Sequence, residues 1–187
     1  VLGELYGGAV ETRIANDYDE LLRWFEDDEA VPRTVRDANF QPERFDTLRT
    51  RLSAAYKGIN VLVLREGARD WFWKATIQEL DANEVALDIH HIFPRDWCEK
   101  QGIARERYDN ILNKTPISYK ANRKIGGDAP STYIQRMQTE KQVGVTDDAM
   151  DVLLASHALD PVRLRSDDFD HFIEDRRRRL VALIERA

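Results

Sequence analysis

ALDIHHIFPRDWCEKQGIARERYDNILNKTPISYKANRKIGGDAPSTY, residues 86–133, is the stretch on which the reading of this chain turns. Two adjacent histidines, His90 and His91, sit on an apolar run that stops at Pro94. Val85 to Phe93 has the length and β-branched content of a short strand, and Pro94 ends it because proline cannot donate to a ladder. A second short strand is expected around Thr115 to Ser118. Asn113 and Asn122 flank it, and Lys120 to Lys124 lead into a Gly126-Gly127 turn. Trp97 to Gln101 should make a helical turn closed by Gly102. A further helix should begin at Pro130, with Asp128 as its cap and Ile134 and Met137 on one face.

The flanks read as helical scaffold. Tyr18, Leu21, Leu22 and Phe25 recur at helical spacing behind a cap at Asn16 or Asp17, while Val1 to Asn16 shows no period and Gly7-Gly8 suggests an irregular lead-in. Glu29 to Gln41 reads as a connector. A second helix is expected from Pro42, with Phe45, Leu48, Leu52, Ala55 and Tyr56 as its apolar stripe. Ile59 to Leu64 fits a strand or a continuation of that helix. Trp71, Phe72 and Trp73 read as core rather than a base-stacking platform. Asp81-Ala82-Asn83 suggests a turn. The C-terminal third reads as helical: Thr146 precedes Asp147-Asp148 and then Met150, Leu153 and Leu154, and Ser166 precedes Asp167-Asp168 with Phe169, Phe172 and Ile173, the acids suiting the first turn of a helix. Arg176 to Arg179 either pair with Glu174 and Asp175 on a solvated face or grip phosphates; the solvated face is preferred.

Composition narrows the class. The chain has 187 residues, 33% charged and 42% hydrophobic, which suits one core or one core with a smaller lobe. No apolar run approaches a membrane span. The N-terminus lacks both a signal peptide and an initiator methionine, so a processed chain or a piece of a longer protein is expected. Cys98 stands alone, which excludes an internal disulfide and a multi-cysteine zinc site and suits a cytoplasmic location. The net charge is −6 but unevenly spread. Asp17 to Glu29 holds seven acids and one arginine, a solvated face or a surface that repels polyanions. Arg95 to Arg136 holds nine Lys/Arg against five Asp/Glu. A basic stretch inside an acidic chain fits contact with a polyanion, or ordinary surface variation.

The residues of 86–133 also define a chemistry. Hydrolysing a phosphodiester takes an activated water, stabilisation of developing charge, and help for the leaving oxygen. A neutral histidine takes a proton from water near pH 7, and a divalent cation supplies the other two. Neighbouring strand residues point to opposite faces, so His90 and His91 share a site only where the strand bends or ends, as Pro94 permits. Asp88 alternates with His90 and is placed to orient its imidazole.

The pattern DIHHIFP, then ILNKTPIS, then NRKIGGDAPS resembles the HNH endonuclease superfamily with its ββα-metal fold, and most of all the C-terminal HNH nuclease part of GmrSD-type restriction and phage-defence proteins. The resemblance covers Ala86 to Met137 and, more loosely, the Lys57 to Trp73 region before it. It implies an α+β, mainly helical fold with a ββα-metal unit embedded between helical segments: a scaffold at 1–80, the nuclease core at 81–140, and C-terminal helices packing on it at 141–187. It implies His91 as general base, with Asn113 completing the catalytic set by bracing the loop between strand and helix. His90 and Asn122 are the implied metal ligands. Asp88, or a DNA phosphate, would supply the charge that these neutral ligands lack. Arg123 and Lys124, with Arg95, are expected to bind the substrate. The cofactor would be a divalent metal ion, Mg2+ or Mn2+. Many relatives carry Asp or Glu at the position of His90, and imidazole opens the site to other transition metals. The partners implied are DNA and an N-terminal nucleotide-hydrolysing domain of the same protein, whose phosphate-loop motif does not occur in these residues. Two other readings stand beside this one: a nucleic-acid-binding or interaction module with a degenerate site, and a metal-dependent RNase or hydrolase of another phosphoester.

Overall fold

The computed structural model describes residues 10–36, 40–81 and 85–187. The Gly7-Gly8 lead-in and most of the turn expected at 81–83 lie outside them. The architecture is mainly helical, with one small antiparallel sheet among the described residues.

Strand β1 (Leu87–His91) pairs with β2 (Lys114–Ser118) so that His90 lies opposite Thr115 and His91 opposite Lys114. Pro116 is tolerated in β2 because each strand of a two-stranded sheet has a free edge. Helices α1 (Val10–Glu26), α2 (Arg33–Arg36) and α3 (Ala54–Arg65) precede the sheet. Between its strands run α4 (Arg95–Lys100), α5 (Arg105–Tyr108) and a 3-10 turn at Ile111–Asn113. After it come α6 (Tyr119–Ile125), α7 (Pro130–Thr139), α8 (Asp147–Ala155), α9 (Pro161–Arg165) and α10 (Phe169–Glu185).

Two apolar clusters flank the sheet. In one, Trp71 packs with Ile92, Phe93, Tyr133, Leu153 and Phe172. In the other, Phe45, Leu48, Tyr56 and Ile59 pack with Ile111, Leu112, Leu180 and Leu183. Residues from before, within and after the 81–140 segment therefore share both cores. A buried carboxylate fastens them further. Asp70 accepts hydrogen bonds from Phe72 N, Trp73 N, Ser118 N and Ser118 Oγ at 2.7–3.0 Å. Ser118 in turn caps α6, accepting from Ala121 N at 3.1 Å.

Several local expectations change. Helix α1 begins at Val10, so Asn16 and Asp17 lie within it, and Asp17 holds α2 through Thr34. Tyr18, Leu21, Leu22 and Phe25 do share a helix, but all four are exposed. Pro42 opens only a 3-10 turn, Pro42–Asp46, and the helix starts at Ala54, where Ser53 caps it and Ile59 to Leu64 continue it. Leu52 falls in the intervening loop and is exposed rather than part of an apolar stripe. Lys120 to Lys124 is helical rather than a lead-in. Ser166 closes α9 and Asp168 caps α10, accepting from His171 N. Asp128 pairs with Arg136, leaving Ala129 at the start of α7 without a side-chain cap. Of the four arginines, Arg178 and Arg179 pair with Asp175 and Arg177 with Asp46, whereas Arg176 is buried against the His157 carbonyl.

Candidate active site

β1, β2 and α6 follow one another as strand, strand and helix, and this order sets the geometry of the site. β1 delivers His90 and His91 at its last two positions, just before the chain turns at Pro94 into α4. α6 starts immediately after β2 and carries Asn122 one turn in. The three side chains line one small cavity of about 190 Å³, together with Arg95, Asp96 and the Gly126-Gly127 turn. The two glycines have different reasons to be there. Gly126 ends α6 with φ of +61°, a conformation that disfavours side chains. Gly127 sits so close to α4 that an added Cβ would meet Asp96 Oδ2 at 3.0 Å.

Asn113 holds this corner in shape. It is fully buried and does not line the cavity. Its Oδ1 accepts from Phe93 N at 2.8 Å, and its Nδ2 donates to Phe93 O at 2.9 Å and Tyr108 O at 3.0 Å. Its own carbonyl accepts from Ile92 N at 2.9 Å. The exit of β1 and the entry to β2 are thus clamped together by one carboxamide, which fixes where His90 and His91 point.

Both histidines carry an Nε2 that is buried and makes no hydrogen bond. Buried polar atoms without a partner are uncommon, and two on adjacent residues call for an explanation. Asp88 Oδ2 is 4.0 Å from His90 Nε2, while the other oxygen of that carboxylate pairs with Arg51. Asp109 Oδ1 is 3.4 Å from His91 Nε2 but too poorly aligned to accept a hydrogen bond. Burial pushes both imidazoles below their ordinary pKa, with Lys114 adding to the effect at His91 and the nearby aspartates opposing it. Each ring therefore favours the neutral form, the form that ligates a cation or accepts a proton. Burial pushes the Asp109 carboxyl up, but its 2.6 Å contact with Lys114, joined by Arg105, outweighs that and holds it below the usual range.

The cavity fits a divalent cation in its donor types, one imidazole and one carboxamide: an unpaired, buried Nε2 on His90 and, on Asn122, a half-buried carboxamide. His90 and Asn122 would hold the ion; Asp96 lines the same cavity, whereas Asp88, expected to offset the charge, does not line it and stands 4.0 Å from His90 Nε2. No group of three His, Cys, Asp or Glu side chains suited to a metal occurs among the described residues.

Other expected residues stand apart. Arg95 lines the cavity but directs its Nε to Glu99 at 2.7 Å. Lys124 pairs with Glu140, and the Arg123 guanidinium lies 5.7 Å from the centre of the Tyr119 ring; neither lines the cavity. Asp96, Asp109 and Lys114 are neighbours of the site that the sequence does not single out. The register offers a signal for one of them, since Lys114 is the residue paired with His91. Asp96 and Asp109 come close only through α4 and α5, and nothing in their local sequence marks them.

Among curated proteins, the chain is similar to an uncharacterized protein of Methanocaldococcus jannaschii, 29% identical over 153 residues. That match takes in 79% of this chain but only 26% of the archaeal protein, so the chain spans about a quarter of its relative. No family model matches the chain, and no solved structure matches it.

Proposed function

We propose that this chain is a divalent-metal-dependent endonuclease of the HNH, ββα-metal kind that hydrolyses phosphodiester bonds of DNA. The observation that carries the reading is the convergence of His90, His91 and Asn122 on one cavity, with the unpaired, buried Nε2 of each histidine beside it. Asn113, clamping the loop between β1 and β2, supports it.

In this reading neutral His91 takes a proton from water as the water oxygen bonds to phosphorus. The bond from phosphorus to the 3′ oxygen breaks, leaving a 5′-phosphate and a 3′-hydroxyl that collects its proton from solvent. Asp109, held ionised by Lys114, stabilises the imidazolium that results. His90 and Asn122 would bind the cation, which when present polarises the phosphate and offsets charge on the leaving oxygen. Arg95 is positioned at the cavity to meet a phosphate oxygen once released from Glu99.

We further propose that the unit works in the cytoplasm as the nuclease part of a longer restriction or phage-defence protein that also carries a nucleotide-hydrolysing domain. The greater length of the archaeal relative is in keeping with this.

The test is nicking of supercoiled plasmid with Mg2+, Mn2+, Co2+ or Ni2+, run beside single-stranded RNA. Metal-dependent nicking that chelation abolishes is expected. Duplex binding without nicking under any metal would identify a binding module instead, and preferential cutting of RNA would identify an RNase.

A further inference from the structure

The small cavity does not account for all the space around His91. A larger groove of about 750 Å³ shares that histidine and continues away from it, lined by Arg49, Arg51, Arg105 and Lys114. Glu106 and Asp109 also line it, so cations exceed acids by four to two. Its far wall is the loop 49–52. That loop is pinned at one end by Ile111 N donating to Leu48 O at 2.9 Å and at the other by the start of α3 at Ser53. It is held in place yet presents its side chains outward: Arg49 and Thr50 are exposed, and Leu52 is 84% exposed.

The cations of the groove differ in how they are engaged. Lys114 and Arg105 bind Asp109, and Arg51 binds Asp88. Arg49 makes no ion pair among the described residues. Three guanidinium groups lining a groove that also holds a candidate general base suit the anionic repeat of a nucleic-acid backbone, because guanidinium forks pair with phosphate oxygens. The lining also bears on which kind of nucleic acid would suit the groove. Its one aromatic lining residue, Tyr56, is 1% exposed. Single strands are held largely by bases stacking on exposed aromatic faces, and no such face is offered here.

We infer that the loop 49–52 and its groove grip the sugar–phosphate backbone of duplex DNA, with Arg49 on a phosphate flanking the one presented to His91 and Leu52 against the sugar edges. This deepens the nuclease reading, on which the role of His91 rests, by assigning substrate contact to a segment far from His91 in sequence.

Binding tests it without cleavage. Affinity of the whole chain for a fluorescent 20-base-pair duplex is measured by anisotropy in EDTA across a salt series. Arg49→Ala should weaken binding several-fold and lower the slope of log affinity against log salt by about 1, the change expected when one phosphate is no longer neutralised. Leu52→Asp should weaken it further. Arg178→Ala, the same charge change on the exposed face of α10, should do neither. Because Arg49 and Leu52 are exposed, both variants should melt with the wild type. Equal effects of Arg49→Ala and Arg178→Ala would overturn the inference. So would tighter binding of a single strand than of the duplex, or no duplex binding by the wild type. Nicking, measured separately, judges the other reading. Groove-dependent binding without nicking would sink the nuclease and keep the groove; nicking with Arg49 indifferent would sink the groove alone.

Discussion

Replacing Asn113 with alanine tests how the corner bearing the two histidines is built. The side chain makes three buried hydrogen bonds, one accepted from Phe93 N and two donated to Phe93 O and Tyr108 O. Its removal leaves the Phe93 N–H unpaired, and Phe93 O keeps only a long contact from Cys98 Sγ at 3.6 Å. Each orphaned buried group costs roughly 1–3 kcal/mol, and partial relaxation keeps the losses from adding fully. A total of about 3 kcal/mol is expected, a large share of the roughly 5–15 kcal/mol that holds a domain together. At roughly 2–4 °C per kcal/mol for a chain of this size, melting should fall by about 6–12 °C. Asn113→Asp should be no better, since it aims a second carboxylate oxygen at two carbonyl oxygens. Asn122 is the control: its carboxamide is half-buried and makes no hydrogen bond to the protein among the described residues. Asn122→Ala should stay within about 2 °C of wild type, yet lose metal affinity by calorimetry. The assay is thermal melting by circular dichroism without metal. If Asn113→Ala melts within about 2 °C of wild type, or Asn122→Ala is the less stable of the two, their roles are exchanged and the reading of the site fails.

His91→Ala should fold normally and lose about 10²–10⁴-fold in nicking rate; a variant that nicks like wild type would remove His91 from the chemistry. Chelation should abolish nicking while leaving the melting temperature nearly unchanged, because a two-ligand open site adds little to folding, and a large drop would indicate a structural metal. Mn2+, Co2+ or Ni2+ should support nicking at least as well as Mg2+ given the imidazole ligand, as side-by-side rates would show. His157, buried between Thr115 and the Arg69 carbonyl, has its pKa pushed down to about 4 by desolvation, against about 6.5 unfolded. Its contribution to stability is therefore complete above about pH 6.5 and is lost as pH falls toward 4, by about 3 kcal/mol over that window; melting of His157→Asn against wild type, pH by pH, should show the difference closing.

What the sequence disclosed follows from how local each signal is. The strand pair was legible because Pro94 and the β-branched content act within a few residues, and the helix after Thr146 because its opening acids and apolar spacing are equally local. The region 42–52 misleads because its apolar spacing continues that of α3 while its own residues form no α-helix. Phe45 and Leu48 reach the core from a 3-10 turn and a loop, where contact with Ile111, Leu112 and Leu180 decides their positions. The exposed stripe of α1 shows the same limit in reverse, since periodicity names an apolar face without naming what covers it.

The site divides along the same line. His90 and His91 stand out as adjacent imidazoles on a strand end, whereas Asn122 is singled out only by the resemblance of NRKIGGDAPS, since its segment reads as a lead-in and its helix emerges only in the fold. Asp109 gives no such signal, because its distance from His91 is set by the path of α5 and by Lys114, which bonds Asp109 and pairs with His91 in the register. Arg123 and Lys124 are expected at the site for their charge and their place beside Asn122. On a helix, adjacent residues point about 100° apart, so the turn that aims Asn122 into the cavity carries Arg123 toward Tyr119 and Lys124 toward Glu140. A basic neighbour in sequence is thus a weaker guide to phosphate contact than a basic residue at the right angle. The cations that line a groove together with His91 come from loop 49–52, from α5 and across the sheet from Lys114.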